Sequence, residues 1–338
     1  MTLSRIPNAA LVRTRRAVGA IARESGTEID RLRHRSRGGA DVALFHQFAP
    51  PPGGGGHQFL RALVSELRRR GLVVEVNRIS GRTPTCLFNS FNFDFRRLRR
   101  FARDDCRMVH RVDGPIGVYR GFDDGTDARI RAINGALADA TVFQSHFSLE
   151  AHRQIGIDLK EPEIISNTVD PAIFHPPSSR APVAGRKVRL IATSWSDNPN
   201  KGADVHTWLD ENLDWDRFEM TFVGRPPAPF GRIRTLGPLP SGPLADELRA
   251  HDVYVAASRN DPCSNAVLEA LACGLPAVFR SSGGHPELVG DAGVPFEVSE
   301  ELPSALDALV SELDERRAAI RVPALADVAD RYLEVLHG

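Results

Sequence analysis

Lysine is almost missing from this chain. Of 43 basic residues only Lys160, Lys187 and Lys201 are lysines, the rest being arginine. The bias reads as a habit of the coding genome, and it makes Lys201 conspicuous, since surface charge is met by arginine nearly everywhere else. Cysteine is scarce as well: Cys86, Cys106, Cys263 and Cys273 form no Cys-x-x-Cys pair or other metal-ligand spacing. That excludes a disulfide scaffold and implies reduced thiols in a cytosolic compartment. No apolar run approaches the ~20 residues that span a bilayer, and the first residues lack the apolar centre of a signal peptide. Net charge is absent too, 43 acids balancing the bases, so no overall field draws the chain to nucleic acid. No internal repeat is present, which excludes solenoids.

What is there points to two domains. A length of 338 residues exceeds one ordinary core and suits two medium α/β units. Residues 1–40 form a basic extension with nine arginines against Glu24, Glu28 and Asp30. The expectation there is a loosely packed arm, with peripheral contact to an anionic membrane as the alternative. From Asp41 strands and helices alternate. Residues 42–46, 72–74, 86–89, 108–111, 140–144 and 163–166 read as strands, and 57–70, 94–103, 126–138 and 146–155 as helices. This gives an N-terminal Rossmann-like domain over 41–175 and a Pro/Ser/Ala-rich linker over 176–186. A second Rossmann-like domain follows over 187–323, with strands at 188–192, 220–223, 253–256 and 277–279. A last helix over 324–338 is expected to pack back on the first domain. Two such sheets with their strand carboxyl ends facing make a cleft for two ligands.

The chemistry concentrates late in the chain. Asp261-Pro262-Cys263-Ser264-Asn265-Ala266-Val267-Leu268-Glu269 runs into Cys273-Gly274-Leu275-Pro276, and Gly283-Gly284-His285-Pro286-Glu287 follows. Ser264 or Asn265 should cap a helix, whose first amides and dipole favour phosphate. One turn in, Glu269 can accept both hydroxyls of a ribose, and Asp261 can accept hydroxyls of a sugar. Ordinary turn chemistry at Asp-Pro and a solvated Glu269 are the bland alternative. Earlier, Gly53 to Gly56 separate a strand from a helix and allow backbone to approach a phosphate. They are no dinucleotide fingerprint, because Phe59 stands where the third glycine of Gly-x-Gly-x-x-Gly would be. Asp214-Trp215-Asp216 has the form of a metal-binding Asp-x-Asp, yet it sits between a helix and a strand with no second ligand cluster, so it reads as a solvated connection.

The acidic pair eight positions apart, with the Gly-Leu-Pro stop and the Gly-Gly-His-Pro-Glu loop, resembles retaining glycosyltransferases of family 4. The fold this implies is GT-B, two Rossmann-like domains facing across a cleft. The resemblance assigns the donor ribose to Glu269 and hydroxyls of the transferred sugar to Asp261, where the family usually has Glu. It assigns donor contacts to Cys263, Ser264, Asn265 and Ala266, and to Gly54 and Gly55 of the glycine run. In the loop 193–202 it places Ser196, Asn198 and Lys201, the lysine neutralising the departing diphosphate. The arginine that accompanies it in the family falls at Trp195 or Ser196, leaving Arg225 or a residue elsewhere as a substitute. His110 resembles the family's active-site histidine, with Asp113 as second choice and a core histidine bonded to backbone as the bland alternative. Asn167-Thr168-Val169-Asp170 resembles the Asn-Gly-Val-Asp turn between the domains.

The activity so implied is transfer of a sugar from a nucleotide sugar to an acceptor hydroxyl with retention of configuration. The transition state is oxocarbenium-like, and the leaving diphosphate helps deprotonate the acceptor. The resemblance implies no cofactor beyond the nucleotide-sugar co-substrate, with UDP or GDP as first candidates, and no metal. It leaves the acceptor open among glycans, lipid-linked sugars and small molecules, with polysaccharide or glycoconjugate synthesis as the setting. Two rivals are a nucleotide-sugar epimerase on the same architecture and a catalytically silent sugar-nucleotide-binding partner subunit. The products separate them: transfer, interconversion or binding without turnover.

Overall fold

The computed structural model describes residues 39–49, 55–196 and 198–338. The expected contact of the basic extension with a membrane, and the donor contact of Gly54, fall outside the described residues. The first unit runs β1 (Val42–Phe45), α1 (Gly55–Arg69), β2 (Val74–Val76), β3 (Thr85–Asn89), α2 (Phe95–Phe101), β4 (Arg107–Val112). It continues through α3 (Ile116–Arg120), α4 (Thr126–Leu137), β5 (Ala140–Phe143), α5 (His146–Gln154) and β6 (Pro162–Ile164). The second runs β7 (Val188–Ser194), α6 (Ala203–Asn212), β8 (Phe218–Gly224), β9 (Arg234–Leu236), α7 (Ser241–Ala250), β10 (Val253–Ala256) and α8 (Asn265–Ala272). After it come β11 (Ala277–Arg280), α9 (His285–Val289), β12 (Gly293–Phe296), α10 (Leu302–Ser311), α11 (Leu313–Ala318) and α12 (Leu325–His337).

Each unit is a six-stranded sheet, ordered β2-β1-β3-β4-β5-β6 and β12-β11-β10-β7-β8-β9, and every pairing is parallel. Parallel sheets need helices on both faces, which explains why β1, β5, β10 and β11 are buried throughout and why β1 and β10 read as unbroken apolar runs. Helices α1 and α12 cover one face of the first sheet, where Phe59, Leu63, Val109 and Tyr332 share a core. Cys86, Met108 and Ile133 pack on the other face. Strand order reverses between β1 and β3 and between β7 and β10, the two points where ligands of such sheets bind.

The strand expected at 72–74 begins two residues later. The amide of Gly71, at φ 86°, bonds Arg68 O and that of Leu72 bonds Leu67 O at 3.1 Å. This left-handed closure of α1 occupies the residues read as strand. Helix α12 crosses back to the first sheet. Tyr332 packs on Phe59 at 5.9 Å, and Arg107 Nε donates to Val335 O at 2.9 Å.

Among the described residues no helix is long and apolar enough to cross a membrane.

Candidate active site

A cavity of about 320 Å³ lies between the sheets, at the carboxyl ends of their strands. The ends of β7 and β10 straddle the reversal point of the second sheet and supply Thr193, Ser194, Ala256 and Ala257 to its wall. Thr193 Oγ1 and the Tyr254 hydroxyl lie 3.0 Å apart, and burial pushes the Tyr254 phenol up to about 12.

Helix α8 begins at this wall. Ser264 occupies the N-cap position with extended backbone, but its side chain makes no capping bond. The expectation that Ser264 or Asn265 would satisfy the first amides is therefore corrected: those donors are left for something else, with the positive end of the helix beside the cavity. Cys263, Ser264, Asn265, Ala266 and Glu269 all line it.

Glu269 is 8% exposed, and among the described residues no hydrogen bond or ion pair reaches its carboxylate. Burial alone pushes it up to about 8. A carboxylate held this way at neutral pH needs hydrogen-bond donors to ionise.

Lys201 ends a 3-10 turn at Pro199–Lys201 and lines the cavity. Its Nζ stands 2.6 Å from Asp261 Oδ2 and 5.2 Å from the centroid of the Tyr119 ring. Burial alone would lower the ammonium, but Asp261 raises it above its ordinary value. Burial alone would raise Asp261, yet Lys201 and then His285 bring it below the usual carboxylate range. Ser196 lines the same wall, and its Oγ accepts from the Asn198 amide at 3.1 Å. Asn198 itself stands at the seam between the domains, where its Nδ2 and that of Asn200 donate to Tyr119 O at 3.3 and 2.8 Å. Arg225 is exposed and absent from the cavity wall, so it does not fill the missing arginine position.

From the first domain the cavity takes Gly55, Asp113, Gly114, Tyr119 and Gln144. Gly55 fits closely: a Cβ there would lie 2.3 Å from Asn265 Cβ. The approach of α1 to α8 thus requires glycine at that position.

Asp113 reaches the cavity and His110 does not. His110 is fully buried, stacked on Phe88 at 4.4 Å, with Nε2 2.8 Å from Ser90 O and Nδ1 3.2 Å from Asn134 Nδ2. Burial lowers its pKa to about 4. Alternation along β4 is the reason. His110 shares a face with Met108, toward α4, whereas Arg111 and Asp113 follow Val109 toward α1 and α12. The site expectation for His110 is corrected to a neutral core histidine.

His146 opens α5, where its amide and that of Phe147 donate to the Glu287 carboxylate at 2.8 and 2.7 Å. Glu287 thereby ties the second domain to the start of a first-domain helix. His285 is buried, its Nε2 3.0 Å from Ser258 Oγ. Asp214 Oδ1 accepts the Asp216 amide at 3.1 Å in a turn outside the cavity wall. Sequence reasoning missed Tyr119, Gln144 and Arg111, which carry no motif: adjacent strand ends bring Arg111 and Gln144 together, and the helix α3 brings Tyr119 to the cavity.

Residues 212–313 match the family model described as Glycosyl transferases group 1, a stretch that contains Asp261, Glu269 and the Gly283–Gly284 loop. In structure the chain is similar to HepE of Anabaena in complex with UDP and glucose, at 16% identity and a TM-score of 0.65, over 88% of this chain and 100% of that one. It is also similar to the catalytic domain of Starch Synthase IV from Arabidopsis thaliana bound to ADP and acarbose, at 12% identity and a TM-score of 0.66, over 89% and 99%. Sucrose-phosphate synthase from Thermosynechococcus elongatus matches at 16% identity and a TM-score of 0.58, over 86% and 80%. No curated protein matches the chain in sequence. Two parallel-sheet α/β domains closing on one cavity at their strand ends give this chain the GT-B fold of the glycosyltransferases it is similar to.

Proposed function

We propose that the chain is a glycosyltransferase of family 4 that moves a sugar from a nucleotide-sugar donor to an acceptor hydroxyl with retention of configuration. The observation that carries this reading is Glu269, a buried carboxylate with no partner among the described residues, facing the cavity one turn into a helix whose N-cap side chain makes no capping bond. A ribose supplies two hydroxyl donors for such a group, and a diphosphate suits the helix start and Lys201. Asp261, held by Lys201, is the acceptor for hydroxyls of the transferred sugar, and Asp113 faces the reacting carbon from the opposite domain. As the diphosphate departs, Lys201 turns its charge from Asp261 to the growing negative charge, and the leaving oxygen takes the acceptor proton. These groups carry the charge stabilisation, so the reading includes no resident metal.

The structural relatives with UDP and ADP bound support a nucleoside diphosphate at this cavity, with UDP and GDP the first candidates to try. An acceptor in polysaccharide or glycoconjugate synthesis at the cytoplasmic side fits the arginine-rich first 40 residues. Calorimetry with UDP, GDP, ADP and their common sugar conjugates, each with EDTA present, tests the reading. Micromolar binding of one nucleotide in EDTA, with transfer from its sugar conjugate, is the expected outcome. Absence of binding by every nucleotide would sink it.

A further inference from the structure

Below the cavity floor lies a closed ring of four side chains: Arg111 and Asp113 from the end of β4, Gln144 from the end of β5, and Asn167, just beyond β6 where the chain turns toward the second domain. Arg111, at 0% exposure, donates from Nη1 to Asp113 Oδ1 at 3.2 Å and from Nη2 to Asn167 Oδ1 at 2.7 Å. Gln144 closes the ring, its Nε2 donating to the same Asp113 oxygen and its Oε1 accepting from Asn167 Nδ2 at 2.8 Å. Asn89 Oδ1 accepts a further bond from Arg111 Nη1, and Phe59 lies 5.0 Å from the guanidinium. One branch leaves the ring: Asn167 Nδ2 also donates to Asn265 Oδ1, at 3.1 Å, on the first turn of α8.

The donor directions around the ring are mutually determined. Arg111 can only donate, which makes Asn167 present its oxygen to Arg111 and its amide hydrogens to Gln144 and Asn265. Gln144 must then accept from Asn167 and donate to Asp113. Reversing either amide would set like groups against each other at two contacts. A buried ring bonded in this way is stiff, although Arg111 Nε finds no partner among the described residues, and its two exits are the Asp113 carboxylate, whose side chain is 33% exposed, and Asn265.

We infer that Arg111 is a positioning residue that holds Asp113 in the cavity and, through Asn167 and Asn265, makes the start of the donor helix and the first-domain carboxylate a single mechanical unit. A nucleotide settling on α8 then stiffens the opposite wall of the cavity, to which it makes no contact through that path. The inference rests on reading the cavity as the donor site for its nucleotide arm alone.

Amide hydrogen exchange on the full chain tests it, with peptides covering 107–117 and 264–272. Without nucleotide, Arg111→Lys, which has no fork to reach Asn89, Asp113 and Asn167 together, should speed exchange about tenfold in both peptides. Asn167→Asp keeps the Arg111 partner but sets a carboxylate oxygen against Gln144 Oε1 and Asn265 Oδ1. It should act in the same way with the fold intact. With saturating UDP or GDP, the wild type should slow in both peptides, and Asn167→Asp, whose side chain is absent from the cavity wall, should keep the response at 264–272 while losing it at 107–117. Ring variants that loosen the first-domain peptide alone overturn the proposal, as does undiminished transmission in Asn167→Asp. Failure of the wild type to bind either nucleotide strikes the donor-site reading, and the nucleotide-free exchange then decides the ring by itself.

Discussion

The two sheet edges that face each other across the cavity both bury charge, and they do so in opposite ways. On the first-domain edge Arg111 is fully enclosed, and Asn89, Asp113 and Asn167 accept from its guanidinium. On the second-domain edge Glu269 is nearly as enclosed and has no partner among the described residues, so burial pushes it up to about 8. Partners on both terminal nitrogens make the buried Arg111 charge architecture, because they also fix its position, although among the described residues its Nε has none. A buried carboxylate without partners is a cost that folding alone does not explain, and it marks the place where a ligand's donors belong.

The contrast is tested hardest at Lys201, the cation that stands between the two regimes. It has a protein partner in Asp261, but in the proposed reaction it must exchange that partner for the leaving diphosphate. Lys201→Ala should lower kcat by roughly 10²- to 10³-fold, the range seen when one preorganised donor to developing charge is removed. Affinity for the free nucleotide should fall far less, since the amides of α8 remain. Steady-state transfer rates beside calorimetric nucleotide binding would show the split. Equal losses in both would make Lys201 a binding residue and nothing more.

Glu269 gives the next effect, and its sign is what sharpens the comparison. Glu269→Gln should weaken nucleotide binding by about 10- to 100-fold, because a neutral amide replaces an acceptor of two hydroxyls and hydrogen bonds to charged groups are worth ~1.5–3 kcal/mol. Its effect on stability follows from the raised pKa. The folded form holds the Glu269 proton above the carboxyl's ordinary value, so this group's contribution to stability is complete below that value. The contribution is lost as pH rises toward about 8 and stays lost above it. Glu269→Gln should therefore flatten the decline in unfolding free energy between pH 5 and about 8. Nucleotide affinity of the wild type should rise across the same window and level off, since binding requires the ionised group. Near pH 7 it should release protons, visible as a buffer-dependent binding enthalpy. An affinity independent of pH from 6 to about 8 would remove Glu269 from the ribose.

How much of this was legible beforehand follows the same division. The βαβ alternation, the cleft and the pair Asp261 and Glu269 were readable because hydrophobic periodicity and a helix start are local signals. Lys201 was readable from scarcity. The ring was invisible: Arg111, Gln144 and Asn167 are far apart in sequence and meet only because β4, β5 and β6 lie side by side. His110 misled because a motif resemblance outweighed the period of two that sends alternate side chains of β4 to opposite faces. Counted from Val109, a core residue on the α1 side, the alternation would have chosen Arg111 and Asp113. The uncapped start of α8 was equally out of reach, since Ser264 has the right residue type and only its conformation withholds the cap.

The smallest effect is expected at the rim, where Glu287 accepts the first amides of α5 from across the domain seam. Its contacts are exposed and resemble the ordinary attraction between a carboxylate and a helix start, worth about 0.3–1 kcal/mol. Glu287→Gln should therefore change the melting temperature by no more than a few degrees. It should raise KM for the donor by a factor of about two to five, the same energy expressed as lost domain closure. The effect should shrink in high salt, which screens an exposed pair but leaves the buried Arg111 ring untouched. A salt-insensitive or hundredfold loss would mean that the rim carries as much of the closed arrangement as the ring does. The distinction between paired architecture and unpaired binding group would then have to extend to the seam itself.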